Sequence, residues 1–224
     1  MPESSRTPRA LLARFLSALV FAALPVLPAL AASNLVNIST RMQVLTGNDV
    51  LIGGFIVGGT APKTVVVRAR GPSLAAAGIA NPLANPRLEL FTGQSLITGN
   101  DDWQQSTSAA AIQSAGLAPA SPLESAILYT LGPGAYTAVV SGVAGATGVG
   151  IVEVFEVDRP DVPLTNISTR GQVRTGNDVM IGGFIISGDL PQTVIVRARG
   201  PSWPPSASPT RSPTRSCNSC PARA

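Results

Sequence analysis

Histidine is absent from the chain, and its two cysteines, Cys217 and Cys220, both lie within the last eight residues. The first absence removes the commonest general acid–base group and the imidazole of a catalytic triad. The second excludes a disulfide framework and leaves a C-x-x-C with no other Cys or His to complete a zinc site. Aromatic residues make up 4% and charged residues 12%, so neither an array of stacking rings nor a chain held open by its own charge is expected. No apolar run reaches the ~20 residues that a membrane-spanning helix needs.

What the chain does hold is apolar and rich in turns. Hydrophobic residues make up 45%, with 22 Gly and 20 Pro, a balance that favours short strands joined by tight turns. One block occurs twice: Asn37 to Ser73 and Asn166 to Ser202 align without a gap at an offset of 129 residues, identical at 28 of 37 positions. The repeat predicts one β module used in tandem.

The N-terminus reads as an export signal, with Arg6, Arg9 and Arg14 leading an apolar run from Phe15 to Leu27 and Ala29 and Ala31 placed as a cleavage site. Residues 1–32 are therefore expected to be removed and the mature protein to be secreted or held at the cell surface, with no membrane contact after cleavage. Without residues 1–32 and 203–224, Lys and Arg fall to 10 against 11 Asp and Glu. Charge then gives no reason to expect nucleic acid as a partner.

Between residues 33 and 158 the periodicity predicts eight or so strands and one short helix. Leu35 to Val44 alternates, Thr46 to Asp49 is a turn, and Val50 to Val57 is nearly all apolar, as in a strand covered on both faces or one at the centre of a sandwich. Gly53 and Gly54 within it mark a bulge or a close backbone approach. In Lys63 to Gly71, Val65, Val67 and Ala69 share one face and Arg68 and Arg70 the other. Short strands follow at 87–91 and 96–98, a helix over Ser106 to Ala118, a strand at Ser125 to Leu131, and a hairpin through Gly132-Pro133-Gly134 into Tyr136 to Val140. Val149 to Val157 closes the module. The fold class is all-β, a β-sandwich or jelly-roll-like module with one short helix, then a linker at 159–163 and a truncated second copy over 164–202. That second copy is expected to expose apolar strands and to associate with another chain or with the first module.

The assembled pattern of NIST-R, TGND, IGGFI, RARGPSL, NDDW and LGPGAYTAVVSG resembles a module found, often in tandem, in predicted exported bacterial proteins. The resemblance covers most of residues 34–158 and the start of the second copy; it implies secretion and a β-rich fold, and carries no assigned activity. LGPGAYTAVVSG also resembles the closing hairpin of small sandwich domains appended to secreted enzymes. The pattern breaks after Ser202. Back-translated with GC-rich codons and read one nucleotide earlier, Ser208 to Ser212 becomes V-A-N-P-L, matching Ile79 to Leu83, so residues 203–224 read as a frameshifted, disordered tail.

Candidate sites are few. Asn100, Asp101, Asp102 and Trp103 offer oxygen ligands and a ring for calcium or a glycan, against the plainer reading of Asx-turns over a packed indole. Arg68 and Arg70, repeated as Arg197 and Arg199, form an anion-binding candidate, against a salt-bridged sheet face. Asp101, Asp102, Glu124, Glu153 and Glu156 are the carboxylates from which a hydrolase would draw a facing pair, but no spacing pairs them, and Glu153 and Glu156 have opposite parity in one strand. Asn37 and Asn166 head N-x-S triplets. No cofactor is indicated beyond possible calcium. The expected function is a non-catalytic extracellular structural or interaction module, its partner an unidentified protein or glycan, with a glycan- or calcium-binding module as alternative and a carboxylate hydrolase as a more distant one.

Overall fold

Alternation gives every strand two faces, and the fold is settled by which face of each strand meets another sheet. The computed structural model describes residues 34–158 and 161–200; the proposed signal, part of the linker and the tail with Cys217 and Cys220 lie outside the described residues. Its strands are β1 (Asn34–Val44), β2 (Leu51–Val57), β3 (Lys63–Arg70), β4 (Pro86–Thr92), β5 (Ser95–Asn100), β6 (Ser125–Leu131), β7 (Gly134–Gly142), β8 (Gly148–Glu156), β9 (Leu164–Arg170) and β10 (Ile181–Ser187). They form two five-stranded sheets, ordered β10-β1-β8-β3-β6 and β5-β4-β7-β2-β9, with every strand pairing antiparallel. This is an all-β sandwich.

The core lies between the sheets. Ile38, Met42, Val44, Val65, Val67, Val152 and Val154 enter it from the first sheet, and Leu51, Phe55, Val57, Leu88, Leu90 and Val140 from the second. Burying a side chain of this size contributes about 1.5–3 kcal/mol. In β2 burial alternates along the strand, with Leu51, Phe55 and Val57 in the core, so of the two expectations the strand covered on both faces is corrected: Ile52 and Ile56 keep part of their surface on the outer side, and the apolar run belongs to an interior strand of the sandwich.

A second, smaller cluster covers the outer face of the first sheet, where Val66 and Ala126 pack under Trp103 and Ile112. Ile112 belongs to α1 (Ala109–Ser114), shorter than the predicted helix. A single 3-10 turn at Trp103–Gln105 precedes it, and Gly116, at φ +70°, ends it in the left-handed region that glycine adopts without a Cβ penalty.

The predicted hairpin at LGPGAYTAVVSG does not form. β6 belongs to the first sheet and β7 to the second, so the Gly132-Pro133 bend carries the chain across the sandwich, and Leu131 and Val140 enter the same core from opposite sides. Thr46 to Asp49 likewise leads from the first sheet into the second. Among the described strands only β4 and β5 are consecutive and paired with each other.

The two copies also do not form separate modules. β9 and β10 are the counterparts of β1 and β2, and they take edge positions in the sheets of the first copy. The stretch equivalent to β3, within 191–200, is exposed and without regular structure. None of the described helices is long and apolar enough to cross a membrane.

Candidate functional site

The most specific arrangement in the molecule is the contact between the two copies of the block. β10 pairs with β1, setting Ile38 opposite Phe184, Ser39 opposite Gly183, Thr40 opposite Gly182 and Arg41 opposite Ile181. β9 pairs with β2, setting Phe55 opposite Ile167, Gly54 opposite Ser168, Gly53 opposite Thr169 and Ile52 opposite Arg170. Adding 129 to the first number of each pair and subtracting 129 from the second converts one register into the other. Even the irregularity falls at equivalent places, beside Leu35 in one ladder and Leu164 in the other. The copies therefore pair about a local two-fold axis, each contributing its first strand to one sheet and its second to the other, as in an isologous dimer interface.

Three contacts mark that axis. Thr40 and Thr169, equivalent residues on opposite sheets, share a hydrogen bond of 2.7 Å between their hydroxyls. The glycines of IGGF leave room for the other copy's serine: a Cβ on Gly54 would lie 2.7 Å from Ser168 Oγ, and one on Gly183 would lie 3.0 Å from Ser39 Oγ. Met42 and its counterpart Gly171 break the symmetry, because a Cβ on Gly171 would collide with the thioether of Met42. Met42, itself buried, fills the space that its own counterpart has vacated. The sequence signalled a close approach at Gly53 and Gly54, but not that the approaching group belongs to the other copy.

The arginines of β3 are held from within. Arg68 donates through Nε and Nη2 to Glu153 Oε2 at 3.0 and 2.7 Å and through Nη1 to the Leu117 carbonyl at 2.9 Å, while its guanidinium lies 4.5 Å from the centre of the Phe155 ring. Arg70 donates twice to Ser73 Oγ, and its Nη1 lies 3.8 Å from Glu153 Oε1. Pairing Arg68 with Glu153 across neighbouring strands places opposite charges side by side. The anion-binding candidate is thus supplied with its own carboxylate. Glu156 meets Lys63 at 2.8 Å rather than joining Glu153.

Glu124 is fully buried. Its Oε1 accepts from the amides of Gly71 and Ser73 and the Ser73 hydroxyl at 3.0, 3.0 and 2.6 Å, and Oε2 accepts from the Ser121 amide at 3.4 Å. The side chain clasps the end of β3 to the segment that covers it. A hydrolytic acid would have to give up these donors.

In the Asn100–Trp103 turn, Asn100 Oδ1 accepts from the Ala126 amide and Nδ2 donates to the Asp102 carbonyl, while Asp102 Oδ2 accepts from Gln105. Asp102 Oδ1 is buried with no hydrogen-bond partner among the described residues. The Asp101 side chain has no counterpart in these bonds; its carbonyl accepts from Ser125 Oγ at 3.3 Å. Trp103 is 7% exposed and donates Nε1 to the Ser121 carbonyl, so its ring is covered rather than offered. Among the described residues, no three His, Cys, Asp or Glu side chains gather where a metal ion would be held.

Beside this turn lies a cleft of about 420 Å³, lined by Thr98, Asn100, Ser106, Thr107 and Tyr129 among others. Tyr129 lines this cleft without any signal in the sequence, since only the fold brings β6 beside the 105–108 turn. It is 40% exposed. Asn37, by contrast, is buried and donates Nδ2 to the Val154 carbonyl, a role within the sheet, whereas Asn166 is exposed. The chain matches no family model, no curated protein and no solved structure.

Proposed function

We propose that this is a non-catalytic extracellular structural module in which the repeated block joins one copy to the next. The observation that carries the reading is the two-fold pairing of β1 with β10 and β2 with β9, closed by the Thr40–Thr169 hydrogen bond. Open sheet edges invite uncontrolled pairing. A block that covers another copy's edges while offering its own gives tandem modules a specific way to dock. Extracellular placement is supported by the basic and apolar pattern of residues 1–32, and the internal use of Arg68, Arg70 and Glu124 supports a structural rather than catalytic role.

The test replaces Thr40 and Thr169 with cysteine in a chain whose Cys217 and Cys220 are serine. Air oxidation should close one disulfide within each chain, detectable by mass spectrometry after digestion. Persistent free thiols under those conditions, with the single variants folded, would remove the basis of the reading.

The hydroxyl-lined cleft favours a second reading, a module that binds glycan, with Tyr129 as the exposed ring and Asn100 at the edge. Titration of the full chain with neutral oligosaccharides tests it, and binding lost in Tyr129→Ala with unchanged melting would favour it. Calcium titration belongs in the same series, because Asp102 Oδ1 offers the turn's unsatisfied oxygen. A response abolished by Asp102→Asn would support a cation there.

A further inference from the structure

The docked strands cover the β1 and β2 edges of the first copy but bring new edges with them. β1 lies between β10 and β8, and β2 between β9 and β7, whereas their counterparts β9 and β10 are each paired on one side only among the described residues. The consequence appears residue by residue. Phe55 is 2% exposed and its counterpart Phe184 is 42% exposed; Ile181 and Ile185 on the same strand are also exposed. Such strands present ready-made ladders and apolar side chains to another segment.

The molecule shows what covers edges of this sequence. On β2 it is β7, with Gly53 opposite Ala138 and Phe55 opposite Tyr136, the two rings stacked at 5.7 Å. On β1 it is β8, with Ile38 opposite Val154 and Thr40 opposite Val152. From the facing sheet, Val152 also reaches across to Gly53, whose Cβ would meet a valine methyl at 3.0 Å. At Gly182, the counterpart of Gly53, a Cβ would meet nothing within 4 Å among the described residues. The space that the valine of β8 fills in the first copy stands open in the second.

We propose that the outer edges of β9 and β10 form an acceptor for a two-strand arch of the β7–β8 type, supplied by another module of this kind whose own first two strands are not in place. An intact module cannot donate the arch, because both edges of its β7 and β8 are already paired. By the repeat symmetry the arriving tyrosine sits opposite Phe184 and the arriving valine lies over Gly182. One strand extends each sheet, so the acceptor closes both open edges at once, by strand addition. The inference rests on reading the block as a docking element and extends it to a partner.

The probe is a fluorescent synthetic peptide of residues 133–157, titrated against the full chain by anisotropy, with hydrogen exchange of the complex. Saturable one-to-one binding is expected, with protection gained in 164–170 and 181–187, and Tyr136→Ala in the peptide should weaken it several-fold. Gly182→Val in the chain should abolish binding without lowering the melting temperature, since the site is open and valine suits a strand. Absence of saturable binding, or equal binding to the Gly182→Val chain, would overturn the proposal. Either result leaves the Thr40–Thr169 cross-link untouched, so the acceptor and the docking element fail separately.

Discussion

Met42 and Gly171 hold the same position in the two copies and play opposite parts there. Identical residues at an axis of symmetry must share one space, and two buried thioethers would compete for it; a glycine on one side resolves the conflict. Gly171→Met should therefore lower stability by about 1–3 kcal/mol through overpacking. Adding Met42→Ala should recover part of that loss, so that the two changes are non-additive in urea unfolding. Strict additivity would show that the side chains do not meet. At Glu124 the replacement Glu124→Gln should cost about 1–3 kcal/mol, because the three donors on Oε1 lose a charged acceptor and the amide nitrogen, in the place of Oε2, faces the Ser121 N–H. Much at this scale was legible: parity put Arg68 and Arg70 on one face. What they touch was not, since Glu153 lies 85 residues from Arg68 and the two meet only once β3 and β8 are neighbours.

At the scale of the element, the repeat supplies its own control. Residues 64–70 read TVVVRAR and residues 193–199 read TVIVRAR, yet the first is a fully paired strand and the second has no regular structure and is exposed. Local propensity is nearly the same in both. The difference is that β3 has β6 and β8 beside it, so tertiary pairing decides what the sequence only permits. The same contrast gives a prediction: Phe55→Ala should cost about 3–5 kcal/mol, as expected for an enclosed ring, and Phe184→Ala under about 1 kcal/mol. Equal losses in denaturant unfolding would mean that Phe184 is as enclosed as Phe55. Strand positions were readable from alternation, but the destination sheet was not. A Gly-Pro bend says that the chain turns; whether it pairs with the strand just left or crosses the core depends on where the apolar faces find partners. For Leu131 and Val140 they are found across the sandwich.

For the whole molecule, the repeat announced two modules and the fold joins them, because strands equivalent to β1 and β2 have no sheet of their own among the described residues and the first copy offers two edges of matching register. The proposed export belongs to this scale as well: mass spectrometry of protein recovered from the producing cells and their medium should find a mature N-terminus near Ala32 or Ser33, and retention of residues 1–32 on a membrane-bound product would make that segment an anchor. The second copy of the block is an integral part of the first copy's sandwich, and native-state hydrogen exchange reads this out strand by strand. Amides in 164–170 and 181–187 that face β2 and β1 should be protected and should open together with 34–44 and 51–57; full exchange of 164–187 within seconds, while β3, β7 and β8 stay protected, would contradict it.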